Sequence, residues 1–304
     1  MKNVNKKLLS ITRYIGLCVL LLCFAGINKL SAQDVPPTPI PIKLKPVKYT
    51  FEDILLIDNQ TILVPIKNTL EFTIQHRFGI VSNGYNDMYG IYAPGNIRLG
   101  FNYVPVKNLM IGFGTCKDKL QWDFNIKYAL FTQSEEGGWP VSLSYFGNAV
   151  IDTRGKENFV RKADRYTYFH QLMIARKVTE KFSIQAAGSL SHFNNVESYL
   201  NSEGIVSPKM NNEHFALEFM GRYKITELIG IMVNYDQPLT QHTLNNPHPN
   251  MSFGIDFGTK GHSFQIFAGN FGNILPQNNN FYNQNDYTKG QFLIGFNITR
   301  KWHL

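Results

Sequence analysis

Few residues in this chain of 304 amino acids have the types and spacing that catalysis needs. Ser191 and His192 pair a nucleophile with a base, but adjacent residues of a β-strand point to opposite faces, so the two side chains cannot meet. Gly112-Phe113-Gly114 lies within a predicted strand and opens no helix, which is the wrong context for a phosphate-binding loop. The sequence therefore predicts a protein that is not an enzyme and holds no cofactor.

A metal site is the next candidate, because His242 and His248 lie in one loop, QHTLNNPHPN. Two histidines without a cysteine or a cluster of carboxylates are an incomplete ligand set for zinc. A solvated loop is therefore the favoured interpretation, and no metal is expected.

The other polar candidates are charged residues at alternate positions of apolar stretches. In a β-strand such residues share one face, and in a membrane barrel that face lines the lumen. His76 and Arg77 are neighbours, so Arg77 is expected in the lumen and His76 towards the lipid headgroups. The predicted lumen charges are Glu71, Arg77, Arg98, Asp123, Lys127, Arg165, Glu218, Arg222 and Asp256.

Two interpretations of these charges stay open. The first and favoured one is a structural network of ion pairs that closes the barrel, in which Glu71, Arg98 and Glu218 surround Arg77. The second is a charged constriction, because rings of charged side chains set the selectivity of pores.

The stretch LQWDFNIKYALF, Leu120–Phe131, shows the alternation most clearly. Apolar residues stand at every second position, whereas Gln121, Asp123, Asn125 and Lys127 fill the gaps. Charges at so many alternate positions of the chain would be costly in the dry core of a β-sandwich. A wet or internally paired lumen accommodates them, so the pattern favours a barrel whose apolar face meets lipid.

The period of two recurs from Thr69 to the end of the chain. Strands are predicted near residues 69–78, 95–104, 108–115, 120–132, 140–151, 164–177, 182–193, 213–224, 228–236, 250–258, 262–270 and 290–302. The connections between them alternate between short and long, as in up-and-down membrane barrels. The predicted fold is all-β, a closed antiparallel transmembrane β-barrel of about 12 strands in a meander.

The amino terminus has a different character. Residues 1–33 combine basic residues, a short apolar run and a small-residue cleavage site, which predicts a secretory signal peptide. Removing it takes away five basic residues and lowers the formal net charge from +8 to +3, so a nucleic-acid partner is not expected. Cys116 is then the only cysteine, which excludes an internal disulfide.

Residues 34–68 follow as a separate segment. Asp34–Lys48 is proline-rich and extended, and residues 49–68 contain the apolar clusters Ile54–Ile57 and Ile62–Val64. This segment is expected either to lie in the periplasm or to enter the lumen as a plug. The barrel domain is expected to span residues 69–304.

The last strand carries its own signal. Phe292, Ile294, Phe296 and Ile298 alternate up to the end, Trp302-His303-Leu304. This ending resembles the signal by which outer-membrane barrels engage the barrel-assembly machinery, which is therefore the expected partner together with outer-membrane lipid. The usual last residue is aromatic, whereas here it is leucine.

His76-Arg77-Phe78-Gly79 closes the first predicted strand. With TLEFTIQHRFG at 69–79, YGIYAPGNIRLGFNY at 89–103, GFGTCKDK at 112–119 and FNIKYALF at 124–131, it resembles a family of Bacteroidota outer-membrane β-barrel proteins of unknown function. The resemblance covers residues 51–304. It implies secretion and a barrel in the outer membrane of a Gram-negative bacterium, with no established activity.

Two functions are compatible with these patterns. The first is a narrow, porin-like passive channel for ions or small solutes with a charged lumen. The second is a non-conducting barrel that displays the loops Asn194–Asn212 and Phe271–Lys289 or anchors an unidentified periplasmic or surface protein. The Asn-rich part of the second loop, 277–286, carries aromatics that could contact a glycan or protein, although its composition is more typical of an exposed loop.

Overall fold

The computed structural model of the chain describes residues 45–48, 50–135, 137–259 and 261–304. The predicted signal peptide at 1–33 and most of the proline-rich stretch lie outside these residues. Within the described part, no helix has the length and apolar character needed to cross a membrane.

Twelve strands form one closed barrel. They are β1 (Thr69–Ile80), β2 (Asn96–Val106), β3 (Leu109–Cys116), β4 (Gln121–Phe131), β5 (Ser142–Asp152), β6 (Tyr166–Lys177), β7 (Phe182–Phe193), β8 (Glu213–Lys224), β9 (Ile229–Pro238), β10 (Asn250–Gly258), β11 (His262–Gly269) and β12 (Leu293–His303). Each pairs antiparallel with its neighbours in sequence, and β12 pairs with β1. The predicted all-β, twelve-stranded meander is confirmed.

The closing pair shows how the register sets the two faces. Trp302 pairs with Leu70 and Gly295 pairs with Arg77 in one register, and a small irregularity follows between Gly295 and Leu293. Because side chains alternate, matching residues of β1 and β12 point to the same face.

The strand β4 has the two faces that its alternation predicts. Trp122 and Phe124 are 44% and 51% exposed on the outer surface, whereas Asp123 and Lys127 are 1% and 0% exposed inside. An aromatic outer surface beside buried charges is the arrangement of a membrane barrel and the opposite of a soluble sandwich.

The two ends of the barrel differ. Brief turns such as 107–108 and 225–228 join strands at one end, which also carries the end of the chain and is called the turn end below. Longer connections lie at the other, the loop end. There the loop 194–212 forms a small ribbon, Ser198–Leu200 with Val206–Pro208, and the loop 270–292 contains the helix α1 (Pro276–Tyr282).

A glycine in β10 marks a place where the wall has no room for a side chain. A Cβ on Gly254 would collide with the Ile266 carbonyl and with Phe267. We expect Gly254→Ala to lower the free energy of unfolding by about 1–3 kcal/mol through overpacking. Gly221→Ala is the control, because the nearest atoms to its Cβ would lie 3.9 Å away. Urea unfolding in detergent measures both, and equal destabilisation would contradict this account.

Candidate functional site

The barrel interior is occupied by residues 50–64, called the inner segment. It contains a short hairpin in which Leu55–Leu56 pairs with Asn59–Gln60, and its turn places Ile57 at a positive φ of 63°. Phe51 and Ile57 are 1% and 0% exposed. The apolar clusters Ile54–Ile57 and Ile62–Val64 of the sequence therefore lie inside the barrel.

Lys127 of β4 holds three backbone groups of this segment. Its Nζ donates to the carbonyl oxygens of Ile54 and Thr61 at 3.1 Å each, and to that of Leu63 at 3.3 Å. A hairpin of two residues per strand cannot satisfy its own backbone, and buried carbonyls need partners. The ammonium group supplies them.

Glutamines from two other strands hold the hairpin in the same way. The Gln185 side chain accepts from the Ile62 amide at 2.7 Å and donates to the Gln60 carbonyl at 2.8 Å. The Gln265 side chain accepts from the Ile57 amide at 3.1 Å and donates to the Leu55 carbonyl at 2.9 Å. Backbone groups of the inner segment are thus bound from several sides of the barrel.

An apolar cluster completes the contact. Phe51, Leu56, Ile57 and Ile62 pack with inward side chains of the strands and of the loop end. These are Phe146, Phe169, Met173, Ala175, Ala187, Met220, Met232, Phe267 and Phe271. Apolar residues on the inner as well as the outer face of β6 were a sequence signal for a filled interior, which the prediction of lumen charges did not use.

The loop 270–292 enters from the opposite end. The predicted exposed loop at 277–286 is wrong for its first half, because residues 276–281 of α1 are buried inside the barrel. Asn278 donates to Gln121 at 2.9 Å and Asn280 donates to Glu218 at 2.9 Å. Polar composition predicts solvent exposure in general, but here the amide groups bond to the polar inner wall.

The two inserts meet inside the barrel. Asn279 of α1 donates to the Asp58 carboxylate of the inner segment at 3.2 Å. The cavity bounded by the inner segment, the wall and Leu275 measures about 20 Å³, which is room for about one water.

Of the two loops predicted to be displayed, 194–212 exposes apolar side chains, with Leu200 and Val206 68% and 69% exposed.

The predicted lumen charges form separate groups in place of one network. Arg98 makes a two-pronged ion pair with Asp123 at 2.7 and 2.8 Å and donates to Gln75 at 3.0 Å. Gly100 and Gly114 give its guanidinium room to lie along the wall, because a Cβ at either position would collide with it.

A second group lies at the turn end. Arg222 bonds to Asp256 at 2.8 Å, and Lys301 lies 3.2 Å from Asp53 of the inner segment and 4.0 Å from Glu71. Lys301 therefore links wall and segment, although its position in the last strand was not among the predicted charges. Glu218 is bound elsewhere, by Ser189, Gln171 and Asn280.

Arg77 has none of its predicted neighbours. Its Nη1 donates to Asn297 at 3.0 Å, its Nη2 lies 3.5 Å from the Ile57 carbonyl, and the guanidinium stacks over Phe267. The neighbouring His76 points outward and stacks on Phe296.

Arg165 is not part of the charged groups inside the barrel. It ends the 3₁₀ turn Lys162–Arg165, is half-buried, and stacks on Phe159 at the loop end. The placement in a strand fails because the Asp164 carboxylate accepts from the Arg161 amide at 2.8 Å, and this contact supports the 3₁₀ turn that precedes β6.

The histidines of the metal candidate are separated. His242 bonds through Nε2 to Nδ1 of His214 at 2.9 Å, while its own Nδ1 accepts from the Asn211 amide at 2.9 Å. This pattern requires both rings to be neutral, with His242 donating to His214. The backbone at His248 bonds to Asn283 instead. The described residues include no group of three acidic, histidine or cysteine side chains able to hold a metal.

His242 also packs on Phe281 of α1, with ring centroids 5.2 Å apart, so protonation of His242 is expected to loosen α1. Burial lowers the pKa of His242, so the unfolded state binds a proton more readily than the folded one. The stabilisation is complete above the ordinary histidine pKa of about 6.5 and is lost as the pH falls below it. We expect the protection of the α1 amides, corrected for the intrinsic pH dependence of amide exchange, to fall between about pH 7.5 and pH 5. His242→Gln should remove this pH dependence, and a retained dependence would contradict the assignment.

A protein-family model agrees with the barrel fold. The family model described as "Membrane bound beta barrel domain (DUF5777)" matches residues 51–302. No curated protein matches the chain. The NanC porin structure is 10% identical with a TM-score of 0.46, covering 77% of this chain and 100% of that one. An outer membrane channel from Pseudomonas putida F1 is 11% identical with a TM-score of 0.45, covering 79% and 97%. These values are too low to carry the function of either protein over to this chain.

Proposed function

Because this chain belongs to the membrane-bound β-barrel family that matches residues 51–302, we propose that it is an outer-membrane barrel closed at rest by its own inner segment. The observation that carries the proposal is the binding of the segment's backbone by Lys127, Gln185 and Gln265 from separate strands. In the outer membrane of a Gram-negative cell the turn end would face the periplasm and the loop end the outside. The proposal assigns no catalytic role, since Ser191 is buried inside and His192 lies on the outer face.

A non-conducting barrel is favoured over an open channel by the filled interior. A barrel of this strand number is narrow, and side chains alone can occupy much of its lumen. Here a hairpin and a helix enter from opposite ends and meet at Asp58 and Asn279. Displacing either insert would leave buried polar groups and apolar surface without partners, which costs free energy.

A narrow passive channel is the second candidate, and one observation favours it. Cationic and amide groups, such as Lys127, Arg77 and Asn297, are prominent among the inward side chains that bond to the inner segment, beside Asp236 and Ser144. If the segment withdrew, these groups would face water and make a polar lumen of the kind that passes ions or small solutes.

Recording in planar bilayers separates the two candidates. We expect the full barrel to be silent. Ile57→Asp should expel the inner segment, because it puts a carboxylate among the apolar side chains that surround a fully buried residue. Ile66→Asp is the matched control, since Ile66 is 71% exposed just beyond the segment.

Each result has a distinct meaning. Steady conductance of the unmodified barrel would overturn the closed-barrel proposal. Current steps in Ile57→Asp and in a deletion of residues 34–64, with silence in Ile66→Asp, would support a channel that the inner segment closes. Silence in every variant that folds would leave the non-conducting barrel and remove the channel. The folding of each variant is checked after refolding in amphipol, because a folded barrel changes its gel mobility when the sample is heated.

A further inference from the structure

A cavity of about 180 Å³ opens at the turn end between the inner segment and the wall. Five cationic side chains line it, namely Lys48, Lys177, Lys181, Arg222 and Lys224. Glu52 and Glu180 are the carboxylates in the lining. Such an excess of cations around an enclosed space attracts anions.

Two of these cations are already neutralised. The Lys177 ammonium lies 3.0 Å from the Glu180 carboxylate, and the Lys224 ammonium lies 2.7 Å from the Glu227 carboxylate. Glu227 lies outside the cavity lining, whereas Glu180 lines the cavity and offsets the charge of Lys177 there.

The other three cations keep donors available. Lys48 and Lys181 have no ion pair among the described residues. Arg222 is 6% exposed and uses Nε and Nη2 on Asp256, but its Nη1 lies 3.7 Å from Glu52, which is longer than a hydrogen bond. A buried guanidinium with a free edge is a common feature of oxyanion sites.

We infer that this cavity is a binding site for a phosphate-type anion, held by Lys48, Lys181 and the free edge of Arg222. The Ser183 side chain also lines the cavity and has a hydroxyl that could donate to such an anion. The anion competes with Glu52 for Arg222 and so weakens one contact of the inner segment. Binding of the anion does not depend on the proposed function, whereas its effect on the inner segment rests on that function.

Calorimetric titration of the full chain in detergent with inorganic phosphate, at constant ionic strength against chloride, tests the site. We expect saturable binding that Lys181→Gln weakens by about tenfold, the scale of one charge-assisted hydrogen bond. Lys107→Gln is the matched control, an exposed lysine in another turn at the same end, and should bind like the unmodified protein. Glu52→Gln should tighten binding severalfold, because the competing carboxylate is gone.

Three outcomes would overturn the inference: no saturable binding, an equal loss in Lys107→Gln and Lys181→Gln, or no gain in Glu52→Gln.

Titration of the protein in lipid nanodiscs then distinguishes a phospholipid headgroup from free phosphate as the bound anion. If a phospholipid headgroup fills the site, phosphatidylglycerol in place of phosphatidylcholine suppresses the heat of phosphate binding. If the site takes free phosphate, both lipids support the same affinity. Since the readout is heat, a failed titration leaves the closed barrel standing, and a conducting barrel leaves the anion site standing.

Discussion

We expect Lys127→Met to weaken the binding of the inner segment to the barrel wall, while the barrel itself stays folded. The substitution keeps the unbranched chain as far as Cε but removes the Nζ that donates to Ile54, Thr61 and Leu63. Hydrogen bonds from a charged group contribute about 1.5–3 kcal/mol each, and the abandoned carbonyls stay buried. We expect the docking of the segment to weaken by about 3–5 kcal/mol after relaxation, less than the sum of three such bonds because some of the carbonyls can find other donors.

Hydrogen exchange of the amides in residues 54–63 measures this change. A loss of about 3 kcal/mol corresponds to protection lowered by roughly a hundredfold, because about 1.4 kcal/mol is a factor of ten. Lys107→Met is the control, since it makes the same substitution at an exposed turn. Protection that is unchanged in Lys127→Met would show that the apolar cluster alone holds the segment.

Asp123→Asn destabilises the barrel wall by about 3–5 kcal/mol, because it leaves the buried Arg98 guanidinium without its anion. The pair is two-pronged and almost fully buried, with side-chain exposures of 9% and 1%. Among the described residues Arg98 pairs with no other carboxylate, so no partner is at hand to replace Asp123. Denaturant unfolding in detergent gives the free energy of unfolding.

The chain offers a matched control for this pair. Arg154 and Asp152 make the same kind of two-pronged contact, at 2.7 Å, but with Arg154 39% exposed at the loop end. Although the Asp152 side chain is only 10% exposed, we expect Asp152→Asn to cost less than about 1 kcal/mol, because the Arg154 guanidinium that loses its partner is in contact with water. The double substitution Arg98→Met with Asp123→Leu should recover part of the loss, because it leaves no uncompensated charge. Equal losses in Asp123→Asn and Asp152→Asn would refute the role of burial.

The alternation of residues determined the strands and their two faces. In Leu120–Phe131 the direction of each side chain follows from the backbone of the same strand, so a local pattern is enough to place Trp122 outside and Asp123 inside. The same reasoning places Glu71, Arg77, Lys127 and other charges within the barrel. It fails at Arg165, where a 3₁₀ turn shifts the start of the strand.

What fills the barrel was decided only by the tertiary structure. Gln265 bonds to the Leu55 carbonyl across 210 residues of sequence, and no local pattern specifies such a pair. Inward polar side chains are compatible with water, with one another or with a buried backbone, and only closure of the twelve strands brings the inner segment and α1 within their reach. The sequence by itself determined a barrel with a polar, partly apolar inner face. The tertiary structure decided that this face binds the chain's own residues, because buried backbone groups must find partners and the wall supplies them.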